Sequence, residues 1–146
     1  MERVFRYMGF VITPLLAFAQ AEGGGAPPSA PVTIEYYYKL IPGGTAEWLA
    51  LYKKNHNPIL KELMKEGLLR SEKLYERRFH AEAPAWDFKI VMVWRDWMAL
   101  EQAHHREPEI IRALYPDKAA HDQQEKHRWE ITVAHWDDVL REVPLE

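Results

Sequence analysis

The order in which strand-like and helix-like stretches follow one another constrains this chain more than any single motif. "VTIEYYYKLI" (32–41) is rich in β-branched and aromatic residues and runs into the turn signal "PGG". A helical stretch follows, with Thr45 placed to cap it and Gly67 placed to end it. "LLRSEKLYERRF" (68–79) reads as a second strand, polar enough for a sheet edge. After the loop-like "HAEAPAWD", "FKIVMVWRDW" (88–97) is apolar enough for a central strand. Asp96 opens a second helix, in which Pro108 either starts a new turn or kinks the helix, and Asp117 opens a further polar one, "DKAAHDQQEKHRW". A last strand falls between Ile131 and Val143.

Strand, helix, strand, strand, helix, strand is the split βαβ plan of the ferredoxin-like α+β sandwich. Right-handed crossovers put strands one and three in the centre, which agrees with their being the apolar ones. One face of strand one carries Val32, Ile34, Tyr36 and Tyr38 towards the helices; the other offers Glu35, Tyr37 and Lys39. On strand three, Phe88, Ile90, Met92 and Trp94 oppose Lys89, Val91, Val93 and Arg95 in the same way. The second face is too polar for a dry core and too apolar for bare solvent. Two copies packed sheet to sheet would cover it, so a homodimer is expected, enclosing a cavity of aromatic and charged side chains. Tyr37 and Tyr75 would line that cavity, and Trp86 in the hairpin loop would form its lip.

Ahead of the first strand, Arg3 and Arg6 precede the apolar run "YMGFVITPLLAFA" and the small-residue site "AFAQA". This is the layout of a signal peptide (1–21) cleaved after Ala19 or Ala21, so the protein is expected to be exported. The run of about thirteen residues is short of the ~20 that span a bilayer, so no stable membrane anchor is expected after cleavage. "EGGGAPPSAP" (22–31) is a flexible linker, which leaves 32–146 as one domain of a 146-residue chain. A net charge of −3 without a basic stripe gives a nucleic-acid partner no electrostatic support. The absence of cysteine excludes disulfides, iron–sulfur clusters and thiol catalysis. Six Trp and seven Tyr call for an aromatic core or an aromatic pocket.

The first helix poses the sharpest question. In "LALYKKNHNPILKEL", Leu49, Tyr52, His56, Leu60 and Leu63 follow a buried-stripe rhythm, yet Pro58 removes a backbone donor beside the inward histidine. The carbonyl of Lys54 loses its regular partner. Either His56 caps that carbonyl, or the bend swings its ring into a cavity, where it serves as general base or holds a ligand oxygen. Asn55 beside it would orient a carbonyl or a water. His104 shares a helical face with Leu100, Glu107 and Ile111, with Glu107 near enough to fix its tautomer. Adjacent His104 and His105 diverge by about 100° and cannot chelate one ion, and the other histidines lack ligand spacing, so no metal is expected. No nucleotide-binding or common hydrolase motif occurs.

These stretches resemble the dimeric α/β barrel superfamily. "LALYKKNHNPIL" is similar to the EthD-like pattern of an aromatic residue followed by His-x-Pro, met by Tyr52, His56 and Pro58. "VWRDWMALEQAHHREPEI" resembles the antibiotic biosynthesis monooxygenase pattern through Trp94, Asp96, Ala99, Leu100, His104 and Pro108. The resemblance implies a small apolar or aromatic ligand and either cofactor-free or haem-dependent oxidation or isomerisation of a flat aromatic compound, leaving the cofactor open. The alternative is a non-catalytic exported protein that binds a ligand or has a structural role.

Overall fold

The computed structural model describes residues 30–79, 85–143 and 145, so the expected signal peptide and most of the linker lie outside the described residues. Strand β1 (Val32–Leu40) is followed by α1 (Thr45–Leu51), a π-helical turn (Tyr52–His56) and α2 (Asn57–Lys65). Then come β2 (Leu69–Glu76), β3 (Phe88–Trp94), α3 (Trp97–Leu114), α4 (Lys118–Glu130) and β4 (Thr132–Leu140). The antiparallel sheet has the order β2-β3-β1-β4, with the two apolar strands in the centre as their composition requires.

Strict alternation fixes the buried face. Val32, Ile34, Tyr38 and Leu40 of β1 and Phe88, Ile90, Met92 and Trp94 of β3 lie on the helix side, opposite Trp48, Tyr52, Ile59, Leu60, Leu63, Ala103 and Ile110. Helix α2 packs on α3, while α4 packs on α1 and the π turn. The second crossover is thus two helices, and the extra one closes over the unusual part of the first.

Several boundaries differ from expectation for identifiable reasons. Thr45 does not cap α1: Gly44 holds that position without a side-chain bond. Asp96 and Asp117 do cap α3 and α4, accepting from the backbone N–H groups of Ala99 and Ala120 at 2.7 and 3.0 Å. Capping by Asp96 ends β3 early. Pro108 neither starts nor breaks a helix, because α3 runs through it. Gly67 closes α2 as expected. Its φ is +72°, its N–H donates to the Met64 carbonyl, and that of Leu68 donates to the Leu63 carbonyl, both at 3.0 Å.

The expected single helix over 45–67 is instead α, then π, then α. The Asn57 N–H reaches back to the Tyr52 carbonyl, five residues away, and Pro58 falls in the first turn of α2, where a missing donor is tolerated. Inserting one residue into the helix answers the conflict between stripe and proline: the ladder changes register just before the residue that would have broken it.

Candidate functional site

The π turn is held from three directions. Tyr52 and Asn57, at its two ends, both donate to the Glu72 carboxylate of β2, at 2.5 and 2.7 Å. Asn55, almost fully buried, donates from Nδ2 to Gln124 of α4 at 3.1 Å. The Tyr115 hydroxyl, just past α3, lies 3.0 Å from the Lys54 carbonyl and 2.9 Å from that of Asn55. The carbonyl that Pro58 would orphan in a regular α-helical ladder is therefore met by Tyr115. His56 does not cap it, and its ring makes no hydrogen bond among the described residues.

The free ring of His56 lines a cavity of about 180 Å³ between sheet and helices. The floor comes from Tyr36 and Tyr38 of β1, Met92 and Trp94 of β3 and His135 of β4; Leu60 and Leu63 of α2 and Leu100, Ala103, His104 and Glu107 of α3 form the walls. The expected pocket residues divide accordingly. His56 and His104 meet here. Asn55 serves the π turn from behind. Tyr37, Tyr75 and Trp86 sit on or beside the opposite face of the sheet, where Tyr75 and Trp86 line an open surface pocket of about 490 Å³ with Arg77 and Lys89, so the cavity beside His56 is not the one expected between two sheets.

Burial sets the electrostatics. It pulls the His56 imidazole down to about 4, helped by the neighbouring Arg128 guanidinium and opposed by Glu125. The ring is therefore neutral at neutral pH, with one N–H and one lone pair. Burial raises the Glu107 carboxyl, against the pull of His104, and raises the Tyr36 and Tyr38 phenols. His104 and Glu107 form no hydrogen bond, so the expected tautomer-fixing contact is absent. The indole of Trp94 lines the cavity, while its Nε1 is fully buried and faces the Tyr36 hydroxyl, pulling that phenol down against the effect of burial. Arg128, also buried, is gripped by Glu125 through Nε and Nη2 at 3.1 and 2.7 Å and lies against Trp48 and Trp129.

His135 is the residue sequence reading missed. Its Nδ1 lies 2.8 Å from the Tyr37 carbonyl, its Nε2 3.1 Å from Asp137, and its ring stacks on Tyr38 at 4.4 Å. A bulge puts it there. Lys39 pairs with Ala134 and Leu40 with Thr132, so Val133 is extra and the side-chain phase of β4 changes. Tyr36, Tyr38 and Trp94, by contrast, follow from plain alternation.

On the other face, Glu35 accepts from Tyr37 and, at 2.9 Å, from Lys89. Tyr37 stacks on Trp136 at 5.1 Å and meets the edge of Trp86 at 5.8 Å. Its phenol is pushed up to about 12 by burial and by Glu35. Lys89 lies over Tyr75 at 5.6 Å and Arg77 over Trp86 at 4.5 Å. Such a face is self-paired and half-buried within one chain.

No protein-family model and no curated protein matches the chain in sequence. Among solved structures it is similar to a protein from Pseudomonas aeruginosa, with TM-score 0.53 and 17% identity over 82% of this chain and 100% of that one. A dimeric ferredoxin-like protein from an uncultured marine organism gives TM-score 0.53 at 8% identity over 81% and 93%. A NIPSNAP family protein from Agrobacterium tumefaciens gives 0.51 at 11% identity over 84% and 94%. The fold is ferredoxin-like. Within this ferredoxin-like frame, the cavity that His56 and His104 share lies under the helices, not on the open face of the sheet. Among the described residues no cluster of His, Asp and Glu could hold a metal, and no helix is long and apolar enough to cross a membrane.

Proposed function

We propose that this chain is an exported small-molecule-binding protein whose helix-side cavity takes a flat aromatic compound of one or two rings, bearing both a hydroxyl and a carbonyl-type oxygen. The observation that carries this reading is the composition of the cavity: mostly aromatic and aliphatic side chains from sheet and helices, with the neutral His56 ring, which has no hydrogen bond among the described residues, and with His104, Glu107 and His135 at its polar positions. A ligand hydroxyl bonded to the His56 lone pair would contribute about 1 kcal/mol. Size fits this class. At about 180 Å³ the cavity is smaller than the ~300–1,000 Å³ typical of drug-sized ligands, and it does not accommodate a haem.

The same numbers rank binding above base catalysis. An imidazole at about 4 is some six units below an ordinary phenol near ~10, so full proton transfer would be uphill by ~8 kcal/mol. His56 is thus proposed to hold and orient a ligand hydroxyl, with oxidation or isomerisation confined to compounds that ionise far more readily. His104 and Glu107, at the α3 wall, would contact the far edge of the ligand.

The open sheet face supports a two-fold dimer. Tyr37, Tyr75, Trp86 and Trp136 then serve assembly, and one similar structure is described as dimeric. Export rests on the leader-like first 21 residues alone.

Titration calorimetry with 5-hydroxy-1,4-naphthoquinone and its parent 1,4-naphthoquinone tests the binding reading, helped by a chain with no cysteine for a quinone to alkylate. The hydroxylated compound should bind more tightly to the wild type, and His56→Leu should weaken it about tenfold while leaving the parent unchanged. Equal affinities for both compounds, or no effect of His56→Leu, would overturn it.

A further inference from the structure

Pro58 has no N–H, so in a regular α-helical ladder the Lys54 carbonyl would have no partner. Polar side chains lie close by in sequence, Asn55, His56 and Asn57 among them, and a local side-chain-to-backbone bond is the usual remedy. The structure uses a distant residue instead. The Tyr115 hydroxyl, sixty-one positions away, sits between the Lys54 and Asn55 carbonyls at 3.0 and 2.9 Å. Every other tether of the π turn grips a side chain; among the described residues only Tyr115 reaches these carbonyls from outside the helix.

We propose that Tyr115 is the positioning residue of the site: its hydroxyl supplies the donor that Pro58 removes, and so leaves His56 free to face the cavity. This rests on the reading of His56 as the ligand-holding group. Tyr115 is itself well fixed. Its backbone N–H caps α3 by donating to the Ile111 carbonyl at 2.9 Å, and its ring stacks on the buried His121 at 4.3 Å. Burial raises its phenol, so it remains a donor at neutral pH. Two features that look unrelated in the chain, a proline in the first crossover and a tyrosine after α3, are therefore one device.

Tyr115→Phe keeps the ring and its stack on His121 and deletes only the donor. In ¹⁵N-histidine-labelled protein, His56 should titrate at least one pH unit higher in this variant than in the wild type, as the ring leaves the cavity to cap the backbone. Affinity for 5-hydroxy-1,4-naphthoquinone should fall about tenfold. A merely structural tyrosine would lower the melting temperature and leave the His56 titration where it was, which would overturn the proposal.

Pro58→Ala returns an N–H to the helix and makes the second half of a double-mutant cycle. In that background the effect of Tyr115→Phe on the titration and on affinity should shrink to within twofold. Undiminished effects would show that Tyr115 acts by another route and would equally overturn it. The titration needs no ligand, so a wild type that fails to bind the quinone would sink the binding reading while leaving Tyr115 judged on its own.

Discussion

At the scale of single residues, the state of His56 decides what the cavity can do. A folded value of about 4 against an ordinary 6.5 means that the unfolded chain takes up this proton at pH values where the folded one does not. The sign follows. The contribution to stability is complete above about pH 6.5 and is lost as pH falls towards 4, up to ~3 kcal/mol in all. Chemical denaturation of the wild type and His56→Gln at pH 7 and 4.5 should show the wild type losing about 2 kcal/mol more than the variant. Parallel losses would mean that the ring is hydrated and free to charge. Glu72 and Glu107, raised by burial, work in the opposite sense, gaining as pH falls, but they are common to both proteins.

His56 was legible in the sequence as an inward histidine beside a misplaced proline, because both signals are local. Its freedom from the backbone was not, because the group that frees it comes from the α3–α4 junction. His135 was illegible for a different reason. Alternation is a parity, and one extra residue at Val133 reverses it for the rest of β4 without leaving a glycine or proline as a marker.

Among elements, the first crossover carries most of the information. Its stripe of Tyr52, Leu60 and Leu63 was read correctly, since burial at those positions survives a change of register. The π turn itself could not be read, because no residue type encodes an i→i+5 bond; the proline only says that some adjustment is needed. The end of this crossover is more explicit. Gly67 has φ +72° and open space where a Cβ would stand, so Gly67→Ala tests backbone conformation alone. It should cost about 1 kcal/mol by urea denaturation with an unchanged m-value. A neutral result would mean that the left-handed turn is not maintained in solution. Helix α3 is the counter-example to local rules: Pro108 lies inside it, and the helix still runs on to Leu114.

For the whole molecule, the element order was sufficient for the ferredoxin-like plan, because the split βαβ connection leaves few sheets to choose from. What order could not tell was which face of the sheet carries the proposed ligand site. Both faces offered aromatic side chains, and the packing of α2, α3 and the π turn leaves the cavity beside His56 on one of them. The other face is assigned to assembly. Sedimentation velocity at micromolar concentration should give a dimer burying at least ~1,000 Å², and Trp136→Asp, adding a charge beside Asp138, should give a folded monomer. A monomeric wild type would return this face to solvent.

The two faces are separated most directly by the indole resonances of the six tryptophans, followed while 5-hydroxy-1,4-naphthoquinone is added to ¹⁵N-labelled protein. The Trp94 Nε1–H signal, whose indole lines the cavity, should shift as the ligand enters, with the Trp86 and Trp136 signals unchanged. Movement at Trp86 and Trp136 with Trp94 still would place the ligand on the open face and contradict a site beneath the helices.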